Sequence, residues 1–208
     1  MKRFFFTILW MMGLIAAASP QSAPTDFDII GAPYASYKDG EGITGGAGLF
    51  MYQYGDGSIQ PFKWAMAVNL ESSTKGRLAA YSFFDIRNVW GNARLMVDIG
   101  YKRYIQQDFH GLGNSHVYQP EFTDPDDAEF KHKRYHSFYY EYPYLLLDVL
   151  TPLRGEWQSI FGAGILHRTV DTYGPPNLLA ETSPRGLAGG WSNFLRAGMV
   201  YDSRDHEA

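Results

Sequence analysis

The sequence contains no cysteine, which excludes disulfide bonds and thiolate chemistry from this protein. Charged residues make up only 19% of the chain, and the formal net charge of -4 without a basic patch argues against a nucleic-acid partner. No apolar run reaches the length of about 20 residues that a membrane-spanning helix needs. Aromatic residues and glycine are abundant instead, and chains of this composition are typically all-β.

The first residues have the order of a secretory leader. Two cations precede an apolar run that closes on three alanines and ends at Ala18. This order predicts a signal peptide over residues 1–18, removed after Ala18, whereas the alternative is a buried N-terminal helix. We then expect a short periplasmic lead-in over residues 19–26 and a single domain over residues 27–208.

Apolar residues recur at every second position over long stretches of the chain. One run places Phe62, Trp64, Met66, Val68 and Leu70 on one side and polar or small residues on the other. Period two predicts β-strands, and runs of about ten residues are typical of strands that cross a membrane at a tilt. The expected fold is therefore all-β, a transmembrane antiparallel up-and-down β-barrel. A soluble β-sandwich would give the same alternation.

Strand spacing favours the membrane barrel. We predict eight strands, at residues 27–37, 43–54, 61–71, 76–87, 92–105, 130–149, 156–173 and 192–203. The connections after the fifth and seventh strands are long, whereas those after the second, fourth and sixth are short. In an up-and-down barrel both long connections emerge on one side, as in outer-membrane proteins with long extracellular loops and short periplasmic turns.

Tyrosine is concentrated in the sixth predicted strand. These residues predict an interfacial aromatic girdle, with an ordinary aromatic core as the alternative. The set comprises Tyr135, Phe138, Tyr139, Tyr140, Tyr142 and Tyr144. Pro143 lies in the middle of this strand, where it cannot donate a ladder hydrogen bond, and it suggests a bulge.

Residues with reactive or metal-binding side chains form no convincing catalytic set. His132 and His136 would lie about 13 Å apart on a strand and could not share one metal ion. The acidic loop around Asp124 and Asp126 lacks the pattern of a calcium loop. We therefore expect no catalytic, cofactor or metal site, and a protein that is not an enzyme.

Three short motifs resemble a known family. They are "IIGAPYASYKDGEGITGGAGLF" at residues 29–50, "FHGLGN" at residues 109–114 and "AGMVYDSRDHE" at residues 197–207. In this order and spacing they resemble the bacterial surface antigen family, the barrel domain of the BamA/TamA outer-membrane superfamily. The departures from its usual motifs are His110, Leu112, Ser203 and His206.

The resemblance implies a barrel of about sixteen strands, of which this chain would hold the first half. It assigns structural roles to Gly111, Gly113, Asn114, Asp202, Arg204 and Asp205. Arg204 held between the two aspartates would be a charge-assisted lock on the turn to a next strand, and a solvated turn is the alternative. The family's periplasmic POTRA domains have no room between the leader and the first strand, so the functions of relatives do not transfer directly.

These observations lead to two hypotheses of function. The first is a non-enzymatic barrel in the outer membrane of a Gram-negative bacterium, with a role in envelope assembly or transport. Its expected partners are outer-membrane lipid and periplasmic or envelope-assembly proteins, with no cofactor and no nucleic acid. The second is a complete eight-stranded barrel that acts as a small porin-like or lipid-modifying protein. We favour the first and expect the chain to be a fragment, because its last residues read as a turn that leads onward.

Overall fold

A computed structural model describes residues 26–113 and 118–203. The predicted leader, Asn114, Arg204 and Asp205 lie outside these residues. Among the described residues, no helix is both long enough and apolar enough to cross a membrane.

Eight long strands dominate the structure, as the period-two alternation predicts, and helix is almost absent. The strands are β1 (Phe27–Lys38), β2 (Gly42–Gln53), β3 (Trp64–Ser73), β4 (Leu78–Ile86), β5 (Arg94–Asp108), β6 (Ser137–Pro152), β7 (Trp157–Thr172) and β8 (Gly190–Tyr201). The only helical pieces in the described residues are a 3-10 turn, Pro120–Phe122, and a single helical turn, α1 (Leu178–Thr182).

The strands form one antiparallel sheet in which each strand pairs with its neighbours in sequence, in the order β1 to β8. The all-β, up-and-down part of the prediction is therefore confirmed. The sheet is open, because within the described residues β1 and β8 each pair along one edge only. The two long connections, residues 109–136 and 173–189, lie at the same end of the sheet, which we call the long-loop end.

The register sorts the side chains onto two faces of different character. We call one the charged face, because it carries most of the charged strand residues: Asp28, Lys38, Glu71, Asp85, Arg94, Asp98, Lys102, Asp148, Arg168 and Arg196. The apolar face carries mainly aliphatic and aromatic residues, among them Ile29, Leu49, Val68, Phe84, Val97, Leu147, Phe161, Leu195 and Met199.

The predicted start of the sixth strand was wrong. Residues 130–132 are irregular and residues 133–136 form a turn, so β6 begins at Ser137. The backbone carbonyl of Arg134 accepts a hydrogen bond from the buried Asn177 side chain at 3.0 Å, and that of Ser137 accepts one at 2.8 Å. Arg134 is therefore bonded to the other long connection and not to a neighbouring strand.

Pro143 is accommodated without a bulge at its own position. It pairs with Tyr101 on β5, whereas the ladder to β7 is interrupted at Tyr142 and Pro143. The register shift between β5 and β6 lies a few residues away, between Tyr104 and Gln107. The missing N–H of proline is therefore tolerated by a local break in pairing on one side.

Candidate functional site: the charged face and the loop cap

The two motif glycines after β5 lie where the chain turns. Gly111 and Gly113 have φ angles of 98° and 86°, which side chains with a Cβ disfavour. Just before them, the backbone N–H of Phe109 donates to the carbonyl of His136 at 2.7 Å and ties the start of the long connection to its end. The positive φ angles explain the preference for glycine at both positions.

The second motif lies at the opposite end of the sheet. Asp202 follows β8, and its backbone N–H donates to the carbonyl of Glu156 in the turn between β6 and β7, at 3.0 Å. The predicted lock by Arg204 and Asp205 falls outside the described residues and stays a prediction. The described residues of the two motifs lie apart, since β5 and β8 end at opposite ends of the sheet.

An ion pair between a half-exposed arginine and a buried aspartate crosses the charged face. The guanidinium of Arg196 on β8 contacts both carboxylate oxygens of Asp148 on β6, with Nε to Oδ1 at 2.6 Å. Asp148 is only 7% exposed. The pair passes over Gly162 on β7, where a Cβ would lie 2.1 Å from Asp148 Oδ1. Because Gly162 has no side chain, Arg196 on β8 can extend across β7 to Asp148 on β6.

Other glycines of this face are covered in the same way. The ring of Tyr34 on β1 lies over Gly46 on β2, where a Cβ would be 2.4 Å from it. Its hydroxyl donates to the Glu71 carboxylate on β3 at 2.8 Å. Phe194 on β8 covers Gly164 on β7 in a similar manner. Side chains therefore lie flat across the charged face and link strands that do not pair with each other.

Charges and aromatic rings alternate toward the long-loop end of this face. Tyr104, Tyr140 and Tyr142 stack on one another, with ring centroids 5.1 to 6.4 Å apart. Arg77 lies over the first ring, and Arg168 lies over the other two. The predicted girdle is therefore wrong as a single set, because Tyr140, Tyr142 and Tyr144 point to the charged face while Tyr139 points to the apolar face.

The two long connections interlock in a loop cap, which we define as residues 109–113, 118–136 and 173–189. Asn177, fully buried, is its centre. Its amide donates to the two backbone carbonyls described above, while its Oδ1 accepts from the backbone N–H groups of Leu179 and Ala180. The backbone N–H of Leu178 also donates to the carbonyl of Tyr135 at 2.9 Å. These bonds join the second long connection to the first and to the first residue of β6, or they start α1.

Tyr135 adds a side-chain contact between the loops. Its hydroxyl donates to the Glu181 carboxylate at 2.7 Å, and Lys131 donates to the same hydroxyl at 3.2 Å. Burial, followed by the hydrogen bond to Glu181, raises the pKa of the Tyr135 phenol above its ordinary value. The folded loop cap therefore holds this tyrosine neutral, and the stability that it contributes is present below about pH 10 and is lost at higher pH.

His132 and His136 lie in the loop cap and not on a strand. The separation of about 13 Å expected for a strand therefore does not apply to them. His136 is buried against the rings of Tyr118 and Tyr135, and the Nδ1 of His132 accepts from the backbone N–H of Arg134. In residues 26–113 and 118–203, no three His, Asp or Glu side chains are grouped so as to hold a metal ion.

The acidic residues of the first long connection support its own turns. The Asp124 carboxylate accepts from the backbone N–H of Asp126 at 3.1 Å, and the Asp127 carboxylate accepts from that of Glu129 at 2.9 Å. These are local bonds that order an exposed loop.

The sequence did not predict that Arg196 and Asp148 form a pair. The available signal was an aspartate within the leucine run of residues 145–150, at a position that period two assigns to the face of Arg196. No sequence pattern indicates the loop cap, because Asn177 and Tyr135 come close only when both long connections fold back toward the sheet. Comparisons of this chain with protein-family models, with curated proteins and with solved structures give no match.

Proposed function

We propose that the eight strands are membrane-spanning strands of a non-enzymatic outer-membrane β-barrel, with the apolar face against lipid and the charged face inside. The observation that carries this proposal is that nothing in the described part of the chain covers the apolar face. Leu195, Met199 and Phe161 are 87%, 64% and 59% exposed. An uncovered apolar surface of this extent on a folded sheet is typical of a face that meets lipid or another protein.

The positions of the charged residues on the apolar face support contact of this face with lipid. The charged residues of this face within the strands are Arg103, Asp108, Glu141 and Asp171, and all lie near the long-loop end. Two of them pair with each other, since Arg103 Nε lies 3.8 Å from Glu141 Oε2. A band free of charge with polar residues at one border is what a strand needs to cross hydrocarbon.

Aromatic residues border this band at both ends. At the short-turn end the ring centroids of Trp157 and Tyr201 are 5.1 Å apart, and at the long-loop end those of His167 and Trp191 are 4.9 Å apart. The step along β7 from Trp157 to His167 covers about 33 Å. At a strand tilt of about 40° this is about 25 Å along the membrane normal, the height of the apolar band of outer-membrane barrels.

The open edges support closure by further strands. Unpaired backbone groups of an edge strand cost several kcal/mol each in hydrocarbon, so in a membrane β1 and β8 must both find partners. We place them in a barrel of about sixteen strands, as the family resemblance implies, with a role in envelope assembly or transport. Pairing of β1 directly with β8 is the alternative, a complete eight-stranded barrel.

Because the sequence contains no cysteine, single introduced cysteines can carry spin labels that test this proposal. Spin labels on Val68→Cys and Ala67→Cys, adjacent positions on opposite faces of β3, are compared in the full chain reconstituted in lipid vesicles. We expect the label at position 68 to be relaxed by dissolved oxygen, which concentrates in lipid, and the label at position 67 to show little such relaxation. Strong relaxation of both labels by a water-soluble nickel chelate would contradict the proposal.

Gel migration of the same reconstituted protein, boiled and unboiled, distinguishes the two barrel sizes. A chain that migrates as a compact monomer when unboiled, and more slowly when boiled, would favour the eight-stranded alternative. A chain without such a heat-dependent shift, but with the lipid-facing pattern at position 68, would favour the larger barrel.

A further inference from the structure

Arg168 differs from the other arginines of the strands. Arg94, Arg103 and Arg196 each contact a carboxylate, whereas Arg168 has no carboxylate partner among the described residues. Its guanidinium carbon lies 5.2 Å from the ring centroid of Tyr140 and 5.6 Å from that of Tyr142. Arg168 is thus held in place by aromatic rings and not by an opposite charge.

Within the described residues, the guanidinium N–H groups of Arg168 donate no hydrogen bond. The rings attract its positive charge without using those donors. Those donors form a fork that matches the two oxygens of a carboxylate. Arg168 therefore lies beside Tyr140 and Tyr142 with N–H donors that an anion could accept from.

The anion would enter a cavity that is mostly apolar. A cavity of about 450 Å³ lies between the charged face and the β7–β8 part of the loop cap, and Arg168 is in its wall. Apolar residues of the wall include Phe138, Leu166 and Val170 from the strands and Leu179 and Leu187 from the loop. The volume is within the range of small-ligand sites, about 300–1,000 Å³.

A second cation lies in the same wall. Arg185, on the loop, also lines the cavity and likewise has no carboxylate partner within the described part of the chain. No carboxylate belongs to the cavity wall. The site therefore combines an open, mainly apolar cavity with two cations that no carboxylate of the described residues neutralises.

We propose that this cavity binds a single-chain amphiphile with a carboxylate head, of the fatty-acid class. The head is bound by Arg168, with Arg185 as a second positive charge, and the aliphatic chain packs against the apolar wall formed by the strands and Leu187. The inference does not rest on the proposed membrane function, because the cavity and its charges are features of the folded sheet and loop cap.

Photo-crosslinking of the full chain tests this site, with a dodecanoate analogue that carries a diazirine on its aliphatic chain as the probe. Mass spectrometry maps the labelled peptides. We expect labelling in the segment of residues 179–191 and in the β6 peptide that contains Phe138. Excess unlabelled dodecanoate should suppress this labelling, and dodecanol should do so at least tenfold less well, because it lacks the charge that the arginine binds.

Two substitutions and a control decide the role of the charge. Arg168→Gln should reduce labelling of residues 179–191 at least tenfold, whereas Arg103→Gln, an arginine of the opposite face, should leave it unchanged. Leu187→Trp fills the cavity without removing a cation and should also abolish the labelling. It decides the question if Arg168→Gln fails to fold, as judged by circular dichroism.

Three outcomes would overturn the proposal. They are equal competition by dodecanol and dodecanoate, an equal effect of the two arginine substitutions, and labelling confined to apolar-face residues such as Leu195 and Met199. The last result would show that the probe reports only lipid around the protein, which would leave the proposed membrane function intact. Failure of the spin-label experiment, in turn, would not affect specific labelling of the cavity.

Discussion

At the scale of single residues, the most informative positions are glycines that other side chains cover. Gly162 lies directly beneath the Arg196–Asp148 pair, and Gly46 lies beneath Tyr34. A side chain at either position would occupy the space of its neighbour. The long-range contacts of the charged face thus depend on the smallest residues in it.

Gly162→Ala tests this dependence. The new Cβ would lie 2.1 Å from Asp148 Oδ1, so the ion pair must shift, and we expect a loss of about 1–3 kcal/mol in the free energy of unfolding. Gly45→Ala is the control, because its Cβ would meet no atom within 4 Å. Denaturant titration of both variants in the same lipid or detergent gives the comparison. Equal stabilities would show that the pair is not held by close packing.

Some of these residue roles were readable from the sequence. Alternation along the eighth strand separates Arg196 from the apolar Leu195, Ala197 and Met199, and the structure has them on opposite faces. The partners were not readable, because Asp148 and Arg196 lie on strands that do not pair with each other. Sequence spacing carries no information about which side chains meet across an intervening strand.

At the scale of elements, the sequence predicted all eight strands, and most boundaries agree within two or three residues. The reason is physical, since alternation of apolar and polar residues is maintained only where both faces of a strand have different surroundings. The sixth strand was predicted seven residues too early. Its aromatic and basic residues continue the strand-like composition into residues 130–136, where contacts with the other long loop determine the backbone.

Substitutions on the two faces of β8 test whether lipid covers the apolar face. Leu195 is 87% exposed, so Leu195→Arg on a sheet in water should change stability by no more than about 0.5 kcal/mol. Against lipid the same change should cost about 2–4 kcal/mol near the middle of the membrane.

The matched control is Gly198→Arg, which introduces the same side chain on the charged face of the same strand, where a Cβ has only an ordinary contact with Ile160. Unfolding titrations in lipid vesicles should show a clearly larger loss for Leu195→Arg. Similar losses for the two variants would argue that lipid does not cover the apolar face.

At the scale of the whole molecule, the two ends of the sheet differ in the connections that they carry. The long connections join in the loop cap, where Asn177 and Tyr135 are buried, whereas the other end has only short turns. The sequence predicted that both long connections share one end, because an up-and-down order leaves no other arrangement. It did not predict that they contact each other.

Labelling of cysteine variants on whole cells tests the orientation. Asp126→Cys lies in the first long connection, and Asp56→Cys lies in the turn between β2 and β3 at the other end. We expect a membrane-impermeant maleimide to label the first variant on intact cells and the second only after the outer membrane is broken. Labelling in the reverse order would mean that the long-loop end faces the periplasm.

The strictly sequential strand order has a consequence for how the chain acquires its structure. Within the described part of the chain, strands pair only with their neighbours in sequence, so each hairpin can form as soon as its two strands are available. Contacts that are close in sequence carry a small entropic cost of loop closure and favour rapid folding. The bonds between Asn177 and the start of β6 must wait for the β7–β8 connection, so we expect the loop cap to form last and to hold together a sheet already assembled strand by strand.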